Sequence, residues 1–358
     1  MPRPLHPDAL RARLDRSLAR TTRRRSRSGL PAPQVLATAP GFEYRHGAQH
    51  EPFHAASVGK LATTTLVLQE VAAGRLRLDD EVEAILPAEL TAGLFRGRGA
   101  TLAQLLEHSS GVNDFFEGRI ASGPTFFELL RGQPEREWQP QELLAFTREH
   151  QHPVGTPGER FLYSDTGFVL LGLVLEAVTS TPHPSLVRTR VLEPAGMDSS
   201  VVWLREPGPA RIAPLRLGVT DLAAARALTL DWASGGIVTT TDDLARLGRA
   251  LIDGTLLAPG TLAELAEPRH RFKPATGIHY GRGAMRIEYG GFSPFLRALP
   301  PTIGHLGVTG VHLFVNPERD TSIVLNFHGT REMLASFRTH IRIARGLAQL
   351  AERPGERL

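Results

Sequence analysis

The sequence predicts an α/β fold of the α+β type. A central antiparallel sheet built from both ends of the chain is flanked by helices and sits beside a mostly helical lobe. Two observations point there first: strand-like segments gather near the start and the end, and helical periodicity dominates the middle. A third is size, since 358 residues with 41% hydrophobic content suffice for one large domain or two lobes sharing a core. The expected organisation is a basic N-terminal helix or arm over residues 1–28 and a single domain over 29–358. Its sheet lobe would take about 29–60 and 235–358, and its helical lobe about 61–234.

Taken in order, residues 7–21 read as an amphipathic helix with Leu10, Leu14 and Leu18 on one stripe. Residues 22–33 read as a basic, Pro-containing linker. Two short strands follow near Gln34–Thr38 and Phe42–Arg45, separated by the turn signal Pro40-Gly41. A helix begins at or near Ser57, carries Leu61, Leu66, Leu68 and Val71, and stops at Gly74. Further helical pieces are expected near Leu102–His108, Thr125–Leu130 and Pro140–His150. Residues 167–179 form a strongly apolar helix. Past residue 235, strand signals appear at His279–Tyr289, Thr302–His305, His312–Val315 and Ser322–Phe327. A helix over Thr240–Ile252 precedes them, and a long one over Arg331–Leu350 ends the chain.

Composition removes several function classes. There is no cysteine, so disulfides, thiolate metal sites and a Cys nucleophile are excluded. Residues 1–28 hold nine Arg against two Asp, a formal +7, which leaves residues 29–358 at −3 within a chain total of +4. The basic character therefore belongs to the N-terminal segment. Its cluster Arg23-Arg24-Arg25-Ser26-Arg27 is read as a solvated helix end, and no nucleic-acid partner is expected of a mildly acidic remainder. No apolar core of a secretory leader follows the first charges and no run of 18 apolar residues exists, so a cytoplasmic protein without a membrane span is expected. The fourteen His show no metal spacing, and neither metal nor cofactor is expected.

The chemistry-bearing signal is Ser57-Val-Gly-Lys60. A Ser and a Lys three residues apart share a helix face, so their side chains can meet. A serine hydroxyl becomes a competent nucleophile only when a base takes its proton. Three further segments accompany the pair: Tyr163-Ser164-Asp165 before the apolar helix, His305-Leu306-Gly307-Val308 between strand signals, and Gly235-Gly236 before a capped helix with Asp242. Leu105-Leu-Glu-His108-Ser-Ser-Gly111-Val is a fourth. Ser-Val-Gly-Lys is not a phosphate-binding loop, because His54 stands where its first Gly belongs and Leu61 follows the Lys. No G-x-S-x-G elbow or H-E-x-x-H zinc helix is present.

With these motifs in this order, the chain resembles the serine β-lactamase and penicillin-binding-protein superfamily on its class C side, over about Gln34 to Phe327. That branch includes DD-peptidases, D-aminopeptidases and family VIII esterases. The resemblance implies a β-lactamase/transpeptidase-like fold with the active site between sheet and helical lobe. It implies Ser57 as nucleophile, Tyr163 as general base and Lys60 as its electrostatic partner, whose ammonium would lower the Tyr163 pKa. The backbone N–H groups of Ser57 and Val308, the latter next to Gly307, would form the oxyanion hole. Asp165 stands where relatives carry Asn, and His305 where true β-lactamases carry Lys. An ionised Asp165 accepts but cannot donate, holds Lys60 protonated, and attracts a cationic substrate group. A mostly neutral His305 anchors a substrate carboxylate weakly. Both departures favour a small-molecule ester or a D-amino-acid amide or peptide over β-lactams. The alternative is a retired hydrolase serving as a binding module. His108, Gly235 and Gly236 read as structural. The substrate pocket is expected from residues 113–160 and 278–300, with Phe115, Phe116, Phe126, Phe127 and Phe292 as lining or core.

Overall fold

The computed structural model describes residues 5–273 and 276–350. Its largest sheet has eight strands: β1 Gln34–Ala39, β2 Phe42–His46, β3 His270–Arg271, β4 Ile278–Tyr280, β5 Met285–Ile287, β6 Thr302–Gly307, β7 Val311–Asn316 and β8 Thr321–Asn326. They lie in the order β2-β1-β8-β7-β6-β5-β4-β3, with every pairing antiparallel. The sheet is thus closed by the two ends of the chain: Gln34 pairs with Asn326 and Thr38 with Ser322. The β1–β2 hairpin turns at Pro40-Gly41, where Gly41 takes φ +69°. The strand expected over 279–289 is instead the hairpin β4–β5, broken at Gly281-Arg-Gly283.

Among the described residues, six helices have ten residues or more: α1 Pro7–Ser26, α2 Lys60–Ala72, α3 Pro140–His150, α4 Asp165–Thr179, α5 Thr241–Ala250 and α6 Met333–Leu347. Alternation along the strands sends side chains to two cores. Leu36, Leu313, Val315 and Val324 join the core of the helical lobe, where α2 and α4 lie. Val35, Ala37, Phe314, Ile323 and Leu325 join a second core, under α1 and α6. α4 is apolar on all sides and is enclosed, with Phe168 to Leu171 fully buried.

α1 runs five residues past its expected end, into the segment read as a linker. Leu10, Leu14 and Leu18 are fully buried against the sheet. Arg25, expected to be solvated, is buried: its guanidinium donates to the Phe327 carbonyl at 3.0 Å and pairs with Glu332 at 3.2 Å. No helix among the described residues is long and apolar enough to cross a membrane.

Candidate active site

Phe53 and His54 pair with Thr239 and Val238, which fixes the chain just ahead of Ser57. A 3-10 turn over Ala56–Gly59 carries Ser57 and runs directly into α2, whose first residue is Lys60. Ala56 takes φ +49°, a sparsely populated conformation for a residue with a Cβ. Its N–H donates to His54 Nδ1 at 3.1 Å. The Gly-Gly segment crosses this turn in backbone contact: a Cβ on Gly59 would lie 2.9 Å from Gly235, and one on Gly235 would lie 2.7 Å from the Ala56 carbonyl. Gly235 is therefore a packing residue, as the sequence indicates. The acid that α5 buries is Asp243, which accepts from Ser200 Oγ at 2.7 Å, rather than Asp242.

Lys60 is fully buried. Its ammonium donates to Ser57 Oγ at 3.3 Å, to the Ser234 carbonyl at 2.7 Å, and to the Asp165 carboxylate in a short ion pair. α4 delivers that carboxylate. Ser164 is its N-cap, accepting from the Gly167 N–H at 3.3 Å, so the Asp165 side chain is free of capping and turns to Lys60.

Tyr163 packs against His108 with ring centroids 4.2 Å apart and the rings tilted by 39°, and Lys60 Nζ lies 4.9 Å over the Tyr163 ring. Its hydroxyl is turned toward Ser57 but completes no hydrogen bond. The expectation of a lowered Tyr163 pKa is not met. Burial, then the Asp165 charge, hold it well above the usual phenol value, against the opposing influence of Ser57. The ammonium expected at the Tyr163 oxygen sits over the ring, held by its three acceptors.

His305, expected to bind substrate, is withdrawn from the cleft. It pairs with Leu313 across β6–β7, is fully buried, and hydrogen-bonds Tyr280 Oη at 3.2 Å. Burial, helped by the Lys60 charge, pulls its pKa down to about 3, so it is neutral. Gly307 closes the approach of β6 to the serine turn, since a Cβ there would lie 2.9 Å from the Ala55 carbonyl. Val308 lines the same cleft as Ser57, Tyr163 and Asp165. His108 accepts from the Ser164 N–H at 3.1 Å and so anchors the Tyr163 loop.

The rest of the cleft wall comes from residues the motifs did not mark. Asp114, Glu117 and Asp231 face it, with His54, Phe116 and Leu230. The wall is formed by 114–117 and 215–231, and the expected 278–300 segment lies elsewhere. Phe116 lines the cleft, whereas Phe115 and Phe126 are core and Phe292 packs on Phe337. Burial and then the neighbouring Asp165 push Asp231 up to about 7, and the same causes raise Asp114. His54 Nε2 lies 3.6 Å from the Asp231 carboxylate, and burial takes its pKa down to about 4. A serine hydroxyl, a buried ammonium and a phenol thus meet in an acidic cleft. That is a set able to activate a nucleophile and pass its proton on. Among the described residues no cluster of metal-ligating side chains occurs.

Penicillin-binding protein 4 of Amycolatopsis lactamdurans is 29% identical over 218 residues, 58% of this chain and 53% of the relative, so the chain spans about half that protein's length. A D-stereospecific amidohydrolase from Streptomyces superposes with a TM-score of 0.74 at 26% identity, covering 88% of this chain and 94% of its own. The D-amino acid amidase of Ochrobactrum anthropi SV3 superposes with a TM-score of 0.75 at 20% identity, covering 94% and 99%. The Beta-lactamase family model matches residues 35–347, a span that holds Ser57, Lys60, Tyr163, Asp165 and the strand of His305, and the chain belongs to the Beta-lactamase family.

Proposed function

We propose that the protein is a serine hydrolase that forms an acyl-enzyme on Ser57 and acts on small amides or esters bearing a free amino group near the scissile carbonyl. One observation carries the substrate class. Asp114, Glu117, Asp165 and Asp231 face the cleft, and the ammonium at its floor, Lys60, is already paired with Asp165. A substrate ammonium gains there, and a substrate carboxylate is repelled. The likeness to a D-stereospecific amidohydrolase supports amide chemistry at a D-configured residue.

Ser57 Oγ attacks the carbonyl carbon while its proton passes to Lys60 Nζ, which hands one of its own to the Asp165 carboxylate paired with it, and Tyr163 flanks the pair. The oxyanion is held by the backbone N–H groups of Ser57 and Val308, a donor arrangement in which one member is worth about 3–4 kcal/mol. The proton then goes to the leaving amine or alkoxide, the C–N or C–O bond breaks, and water releases the acyl group by the reverse relay. The test is a panel of D-phenylalanine p-nitroanilide, its N-acetyl derivative, p-nitrophenyl acetate and nitrocefin, with mass spectrometry of the intact protein. An adduct on Ser57 and a preference for the free amine over the N-acetyl compound are expected. No adduct, or equal rates on both anilides, refutes the reading.

A further inference from the structure

A second concave surface lies outside the cleft, a groove of about 710 Å³ between α1 and the C-terminal helix α6. Arg13, Arg16, Arg20 and Arg24 reach it from α1 at spacings of three and four, which puts them on one face. Arg331, Arg338 and Arg342 reach it from the other side. The two helices run antiparallel, since Leu5 meets Leu350 at one end and Arg25 meets Glu332 at the other. Two facing rows of guanidinium groups result. The α1 row extends about 16 Å at 1.5 Å per residue.

Glu332 is the one carboxylate lining the groove, and it is paired to Arg25. None of the other seven arginines has a carboxylate partner among the described residues. The like charges act on one another: burial, then Arg20 and Arg345, depress the Arg342 pKa. Such an arrangement costs free energy until an anion fills it. Residues 7–26 also precede the span that the family model matches. The leucine stripe of α1 explains its packing but not its arginines.

We propose that this groove binds a linear chain of phosphates, independently of hydrolysis at Ser57. Guanidinium groups match phosphate oxygens in bidentate fashion, and two facing rows suit a flexible chain lying between them. The lining carries no aromatic side chain, so single-stranded nucleic acid would find no platform on which to stack its bases. A membrane surface is the poorer fit, because Leu334 is the only exposed large apolar side chain among the lining residues.

The test titrates fluorescently labelled medium-chain inorganic polyphosphate into the full-length protein at several salt concentrations, read by polarisation. Binding should weaken with log salt at a slope of about −0.7 per phosphate contacted. The triple variant Arg16→Gln/Arg20→Gln/Arg338→Gln should lose at least tenfold in affinity, while the corresponding Lys triple stays within a few fold. Both should keep the wild-type melting temperature and ester hydrolysis. No binding at low salt, or binding that the Gln triple leaves intact, overturns the proposal. An oligonucleotide of equal phosphate number that binds tighter than polyphosphate overturns it in favour of base recognition. Cosedimentation with anionic vesicles, lost in Leu334→Ser and without polyphosphate binding, overturns it in favour of a membrane.

Discussion

An ammonium has three hydrogens, and at Lys60 each has an acceptor: Ser57 Oγ, the Ser234 carbonyl and the Asp165 carboxylate. None remains for the Tyr163 oxygen, which explains why this phenol is not acidified. Removing Lys60 alone strands a largely buried Asp165. Lys60→Met is therefore expected to abolish acylation and to destabilise the fold by about 3–5 kcal/mol in urea unfolding. Adding Asp165→Asn should restore most of the stability and none of the activity. Asp231 offers a test with a sign. Its charge helps to raise the Tyr163 pKa and also attracts a cation. Asp231→Asn should then lower kcat/KM on an amine-bearing amide, about tenfold for a lost charge pair of about 1.4 kcal/mol, yet leave or increase the rate on p-nitrophenyl acetate. Equal losses on both would refute this. The pH dependence follows from the Asp231 value of about 7. Below it the group is neutral, so KM for the amide should fall as pH rises through 7, while KM for the ester stays flat. The stability sign is opposite. A carboxyl whose folded pKa is raised holds its proton more tightly when folded, so its contribution is lost as pH rises from the unfolded value of about 4 toward 7. Ser57, Lys60, Tyr163 and Asp165 were legible because the first two and last two sit close in sequence. Asp114, Glu117 and Asp231 were not, since lone carboxylates on separate loops carry no spacing. For His305 the motif carries the face but not the depth: opposite Leu313 it lies on the α2 side of the sheet, yet it is fully buried against Tyr280 and does not line the cleft.

At the scale of elements, position is set by contacts between backbones. The serine turn, the Gly235 segment and β6 meet with no room for a Cβ on Gly59, Gly235 or Gly307. Gly235→Ala must push the Ala56 carbonyl aside and so tilt the turn that aims Ser57. We expect a loss of about 1–3 kcal/mol in stability and a fall in kcat larger than the change in KM, read from ester kinetics beside thermal melts. Wild-type kcat in this variant would show that the crossing does not aim the serine. The N-cap of α4 works similarly. Ser164 Oγ accepts from Gly167 N–H and donates to the Asn113 carbonyl at 3.0 Å, tying the helix start to the Asp114 loop. These devices explain where boundaries were readable. Pro140 marks the first residue of α3, and the expected range Pro140–His150 is the observed one. α4 begins two residues before the expected Gly167, because Ser164 was an unrecognised cap. The β4–β5 hairpin looks like one strand in the sequence because the short Gly281-Arg-Gly283 turn separates two segments of similar strand character.

On the scale of the whole molecule, the two ends of the chain hold the sheet from one side. That the sheet draws on both termini was visible in the strand signals. The role of the first helix was obscured by its charge, since nine arginines dominate the composition of residues 1–28 while three leucines decide the packing. Leu10, Leu14 and Leu18 cover Val35, Ala37, Ile323 and Leu325 within the second core, and Arg25 ties the helix end to Phe327 and Glu332. Truncating one such fully buried leucine should cost about 2–5 kcal/mol. That is a large part of the roughly 5–15 kcal/mol that holds a typical protein folded. Removing residues 1–28 uncovers the apolar sheet face at once. The truncated protein is therefore expected to melt well below wild type or to aggregate, and to lose hydrolysis by unfolding instead of by any change at Ser57. Leu14→Ala supplies the graded version. Its melting temperature should drop while kcat/KM at 20 °C, where it is still folded, remains that of the wild type. The Gln triple in the arginine groove should do neither, because its changed side chains lie on the face of the helices that the sheet does not bury. If the truncated protein instead keeps the wild-type melting temperature, the helix is an appendage and the leucine contacts contribute nothing to stability.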